Sequence, residues 1–134
     1  MIIEAPGFLP GVSGFRNLRF LASLSGRASI DDVREAMALV GLDPQNRKHV
    51  GKCSLGMRQR LGIAQAIMED PKLPVLDEPL SGLDRAGVEK VRALLLRFKE
   101  QGKTLPIASH NAEDIEVLCD TVHEMEDGVL QPCR

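Results

Sequence analysis

Between Leu73 and Asp84 the chain reads L-P-V-L-D-E-P-L-S-G-L-D. The apolar run from Leu73 to Leu76 is too short for a helix of its own and ends in two adjacent carboxylates, Asp77 and Glu78. Pro79 then prevents the strand from running on into regular helix. These constraints leave a short buried strand with both acids at its carboxyl end. In open α/β sheets ligands gather at that edge, so Asp77 is placed to hold a hard divalent cation through oxygen and Glu78 to polarise a water. By itself D-E-P has a plainer account, a solvated turn at a strand end, and the rest of the chain must decide between them.

With 134 residues, 43% of them hydrophobic, the chain suffices for one cored domain and is too short for two. Its 17 basic and 19 acidic residues are interspersed, giving a net charge of −2 and no basic stripe. Four phenylalanines are the only aromatic side chains. Nucleic acid is therefore not an expected partner, since both the electrostatic footprint and the stacking platforms are missing. Cys53, Cys119 and Cys133 are odd in number, far apart and without a CxxC pair, which argues against a disulfide framework or a zinc site and for a reducing cytosol. No run approaches the roughly 18 apolar residues that cross a bilayer, and no charged-then-apolar leader opens the chain. If a membrane is involved, other chains must span it.

Taken in order, Ile2 and Ile3 read as the end of a strand, followed by the Pro/Gly-punctuated loop A-P-G-F-L-P-G-V-S-G. Ser13 caps a helix from about Gly14 to Leu24, with Phe15, Leu18 and Leu21 or Ala22 on one face and Arg16 set unfavourably against the dipole. Ser29 and Asp32 form a capping-box pattern ahead of a helix with Ile30, Val33, Met37 and Val40 in a stripe that Gly41 stops. After a polar loop from Asp43 to Lys52, Ser54 caps a long helix to about Glu69, with Met57, Leu61, Ala64 and Met68 on one side. Asp84 caps the next, to about Gln101, which buries Val88, Val91, Leu95 and Phe98. Thr104 to Ser109 reads as a strand, Asn111 to Leu118 as a helix, and Val122 to Met125 with Val129 to Gln131 as a hairpin around Asp127-Gly128. Strand and helix alternating in the second half imply a mostly parallel sheet with polar site residues at strand ends.

Three segments, S-L-G-M-R-Q-R-L from Ser54, D-E-P-L-S-G-L-D from Asp77, and Ser109-His110, resemble in order and spacing the second half of an ABC-type ATPase. The first resembles the signature motif, with Ser54 and Gly56 at its serine and second glycine. The second resembles Walker B plus the D-loop, and His110 resembles the switch histidine. The opening I-I-E-A-P-G-F-L-P resembles the Q-loop, with Glu4 in the glutamine position. Together with E-V-L-C-D from Glu116 to Asp120, the set looks most like bacterial exporters of the multidrug and bacteriocin-immunity type. Each piece has a local account as well: Ser54-x-Gly56 is an ordinary N-cap, His110 a turn histidine, Glu4 an exposed loop acid.

The resemblance implies a partial P-loop (RecA-like) parallel sheet with an inserted helical subdomain, residues 14–70 being helical and 71–134 half of the α/β core. It implies ATP as ligand, with Mg²⁺ on Asp77, Glu78 as general base, His110 on the γ-phosphate, and Asp84 at a dimer contact. Ser54 and Gly56 would grip the nucleotide of a second ATP-binding subunit, which fits the physics of a serine hydroxyl and free N–H groups at a helix N-terminus. Glu4 would sense the metal and couple it, through residues 14–52, to a separate transmembrane permease. The implied location is cytoplasmic, peripheral on the inner face of the cell membrane. The alternative is a non-catalytic fragment that docks on a membrane subunit or donates the signature motif to a full-length homologue.

Two departures stand out. No G-x-x-x-x-G-K-[ST] occurs in these residues. The chain starts where the Q-loop begins, so Met1 is expected to be an internal or misassigned start, and the 134 residues alone are expected to bind ATP weakly and to be inactive. Pro74 and Pro106 fall in strands where a backbone donor is expected, and proline is normally confined to sheet edges or strand starts. The expectation is that these two strands flank a missing central strand, and that either the sequence is degenerate or the two strands have become edges.

Overall fold

In the computed structural model, residues 2–3, 7–69 and 75–133 are described. A block of helices follows a first strand, β1 (Ile2–Ile3). Helix α1 (Gly14–Ser25) is capped by Ser13, whose Oγ accepts the Arg16 N–H, and ends at Gly26 in the left-handed region. Helix α2 (Ile30–Leu39) has the expected capping box, and α3 (Leu55–Met68) starts on Ser54, whose Oγ accepts the Met57 N–H at 3.1 Å. The second half alternates strand and helix: β2 (Val75–Asp77), α4 (Arg85–Glu100), β3 (Ile107–Ala108) and α5 (Ala112–Leu118). A hairpin of β4 (His123–Glu126) and β5 (Val129–Pro132) closes the described chain.

The sheet has order β1-β2-β3 and is parallel throughout, with Ile2 beside Val75 and Leu76 beside Ile107. This corrects the expected arrangement of strands. β2 and β3 are direct neighbours rather than the flanks of an absent strand, and β2 is the middle strand among the described residues, not an edge. β3, by contrast, is an edge. Pro106 stands just before it and enters the ladder as an acceptor, its carbonyl taking the Leu76 N–H at 3.0 Å, which is a position that a residue without an N–H tolerates. Pro74 and Glu4 lie outside the described residues.

One apolar cluster runs from α1 to α5, and its most enclosed members are Leu18, Val33, Ile63, Leu76, Val91 and Leu95. Helix α3 packs on α2 and also touches β1 and β2, so it joins the helical block to the sheet. The expected stripes hold with two adjustments. Ile30 sits at the first turn of α2 and is exposed, and the polar stretch after Asp43 contributes a buried Val50 through a short 3₁₀ turn, Val50–Lys52. Asn17 is a polar member of this interior. Its Oδ1 accepts the Leu9 N–H at 2.8 Å and its Nδ2 donates to the carbonyls of Leu9 and Ser13 at 3.0 Å, which fastens the 9–13 loop to α1.

The capping box makes stability depend on acid. Asp32 accepts the Ser29 N–H at 2.8 Å, and the hydrogen bonds from Ser29, the backbone one foremost, hold its carboxyl below the ordinary 3.8. Because the folded value is depressed, the contribution is complete above the unfolded value and is lost as pH falls through the folded one. In urea titrations, wild type is expected to be more stable than Asp32→Asn near neutral pH, and the difference should start to shrink only below 3.8 and vanish once pH has fallen through the lower folded value.

Candidate functional site

The parallel register brings the ends of β2 and β3 side by side, with Asp77 opposite Ala108. One residue further on, the Glu78 N–H donates to the Ala108 carbonyl at 2.8 Å, and Glu78 then turns into the left-handed region at φ 46°. A non-glycine residue held there costs about 1–3 kcal/mol and persists only where its surroundings fix it. Here they do. The Glu78 carbonyl accepts the Ser81 N–H at 3.1 Å and Gln59 Nε2, from α3, at 2.8 Å.

The turn aims the carboxylate at β3. Glu78 Oε1 accepts the His110 N–H at 2.8 Å and lies 2.6 Å from His110 Nδ1. An ionised carboxylate only accepts, so Nδ1 carries the hydrogen, leaving Nε2 on a ring that is fully exposed. Glu78 itself is 35% exposed. Asp77, half-buried at the strand end, has its carboxylate free of hydrogen bonds and ion pairs among the described residues. Among the described residues no cluster of three His, Cys, Asp or Glu side chains forms a ready-made metal cage.

The loop after Glu78 rests on the start of α3. Gly82 has φ 78°, a backbone conformation that favours glycine, and a Cβ there would come within 2.6 Å of the exposed Leu55 side chain and displace it. Gly56 faces the Gly82 carbonyl and Leu83, with room for close backbone approach. The structure thus sets the Ser54–Gly56 segment against the 80–84 loop of the same chain, while the cap takes one of the two lone pairs on Ser54 Oγ. Asp84 likewise caps α4, its Oδ1 accepting the Gly87 N–H at 2.7 Å.

Behind His110, α5 is locked to α4. Arg92 Nε donates to Asp114 Oδ1 at 3.1 Å, with both side chains mostly buried, and the hydrogen bond to Asp114 raises the Arg92 pKa further. Asn111 caps α5 by accepting the Asp114 N–H at 3.0 Å. Sequence reasoning overlooked both Arg92 and Gln59. Arg92 had a visible signal, since it falls four residues after Val88 and three before Leu95 on the buried stripe, where a charge needs a partner. Gln59, between two arginines, had none.

A short parallel sheet thus carries paired acids at the end of β2, a histidine two residues beyond β3, and a capped helix leaning on the loop that follows the acids. The family model described as ABC transporter matches residues 1–81, and the chain belongs to that family. It is 45% identical over 130 residues to the bacitracin transport ATP-binding protein BcrA of Enterococcus faecalis, covering 96% of this chain and 42% of that protein. It is 44% identical over 131 residues to the uncharacterized ABC transporter ATP-binding protein YybJ of Bacillus subtilis, covering 98% of this chain and 60% of the relative. The chain thus spans about half the length of these relatives. Among solved structures, the dimeric bacterial ABC transporter cassette MJ0796 superposes with a TM-score of 0.83 at 20% identity, over 99% of this chain and 60% of that one, a likeness of fold. Another structure of that cassette, in a post-hydrolysis state bound to ADP and Pi, gives the same TM-score of 0.83. No helix among the described residues is long and apolar enough to cross a membrane.

Proposed function

We propose that this chain is part of the ATP-binding, ATP-hydrolysing subunit of an ABC-type exporter, working beneath a separate transmembrane permease and beside a second ATP-binding subunit on the inner face of the membrane. The observation that carries this reading is the contact between Glu78 and His110, two residues of the family pattern brought within 2.6 Å of each other across 32 residues of sequence.

In the proposed reaction, the Glu78 carboxylate takes a proton from water. The water oxygen forms its bond to the γ-phosphorus as the bond to the β–γ bridging oxygen breaks, and ADP leaves with that electron pair. His110 holds one carboxylate oxygen through Nδ1 and its backbone N–H, which leaves the other oxygen for the water and points Nε2 outward, where a ring protonated on both nitrogens would donate to a phosphate oxygen. Asp77 suits Mg²⁺, which takes one or two carboxylates and fills its remaining positions with phosphate oxygens and water. The metal would supply neutralising charge at the phosphates. Glu4 is assigned the sensing role of the Q-loop. The Ser54–Gly56 turn and Asp84 are assigned to the surface facing the second subunit, alongside their capping roles.

A second reading has its own support. These 134 residues contain no G-x-x-x-x-G-K-[ST], and Ser54 and Leu55 at the α3 N-terminus are exposed. A non-catalytic module that donates this segment to a full-length homologue fits both facts. Calorimetry with Mg²⁺ and ATP on the purified 134 residues tests the common premise. Binding is expected to be weaker than about 0.1 mM, because the phosphate cradle is not among these residues. Low-micromolar affinity would overturn that premise and place the phosphate contacts elsewhere in the chain.

A further inference from the structure

We propose that Gln59 is the positioning residue for Glu78, holding the glutamate in the backbone conformation that aims its carboxylate at His110; this rests on the reading of Glu78 as the base. Three observations converge on it. Among the described residues Glu78 is one of two non-glycine residues with positive φ, and the other, Asp127, sits in an exposed hairpin turn. A glutamate does not hold φ 46° by preference, so something must fix it there. On its amide side it is tied to Ala108 of β3, and on its carbonyl side the one hydrogen bond from outside its own loop, among the described residues, comes from Gln59 Nε2 at 2.8 Å.

The donor comes from α3, the helix whose first turn carries Ser54 and Gly56 and which spans the helical block and the sheet. A shift of α3 along its axis therefore pulls on the peptide that sets the direction of the Glu78 side chain. Removing the donor releases the peptide after Glu78 to rotate back to negative φ, and the carboxylate then swings away from the His110 N–H. Neither Ser81 nor Ala108 opposes that rotation alone, since one lies in the same loop and the other holds only the preceding amide.

Amide hydrogen exchange by NMR on the 134-residue chain tests this without requiring turnover. In Gln59→Met, which keeps length and helix propensity, the His110 amide is expected to exchange at least about 10-fold faster while the amides of Val91 and Leu95 keep their rates. In Gln59→Lys, which retains a donor, His110 protection should return. Unchanged protection at His110 in Gln59→Met, or equal loss in both variants, would overturn the proposal. Glu78→Ala serves as the control for the site itself. A His110 amide indifferent to that change would sink the Glu78–His110 pair and with it the functional reading, whereas a response to Glu78→Ala without one to Gln59→Met sinks only the role of Gln59.

Discussion

Glu78→Gln is expected to lower the single-turnover ATPase rate of a membrane assembly containing this chain by about 10²- to 10⁴-fold, the usual contribution of a positioned general base. Nucleotide affinity should stay within a few-fold. Glutamine keeps the size of the side chain, and its carbonyl oxygen can still accept from the His110 N–H and Nδ1–H, so the turn at Glu78 and the packing of Leu55 on Gly82 have no reason to change. What is lost is the ability to take a proton. Measuring phosphate release and nucleotide binding on the same preparation separates the two effects. A rate that survives the substitution would move the base away from β2.

Leu18→Ala is expected to cost about 2–5 kcal/mol, the range for deleting a fully enclosed leucine. Leu18 is 0% exposed, in the cluster that includes Val33 and Met37 of α2 and Leu61 of α3. Six residues on in the same helix, Leu24 is 69% exposed, and Leu24→Ala should change stability by no more than about 0.5 kcal/mol. Urea denaturation of both variants checks the pair. With a slope of about 1–3 kcal/mol per molar urea, Leu18→Ala should lower the midpoint by about 0.7 M or more. Equal midpoints for the two variants would mean that α1 does not pack as described.

The helices were legible because their signals are local. Ser13, Ser29, Ser54, Asp84 and Asn111 each cap the N–H three residues on, and the stripes behind them repeat at helical spacing. The strand ending in Asp77 was legible for a related reason, as a short apolar run with a proline stop. Strand order was not. Nothing in the spacing of Pro74 and Pro106 says that β2 pairs directly with β3, since pairing partners are chosen by packing over distances the sequence does not encode. Ile30 was misplaced because a helix's first turn can carry the stripe's phase and still project beyond the core.

The same division runs through the site. The sequence alone determined that two acids stand at the end of a strand, that a histidine follows another strand, and that Ser54 opens a helix, all consequences of residue type and near-neighbour geometry. Only the tertiary structure decided that Glu78 turns to positive φ and meets His110, that Gln59 holds its carbonyl across 19 residues, and that Arg92 anchors Asp114 across 22. Those contacts join elements whose relative placement is fixed by the burial of Leu76, Val91 and Leu95 in one core, and no local pattern carries that information.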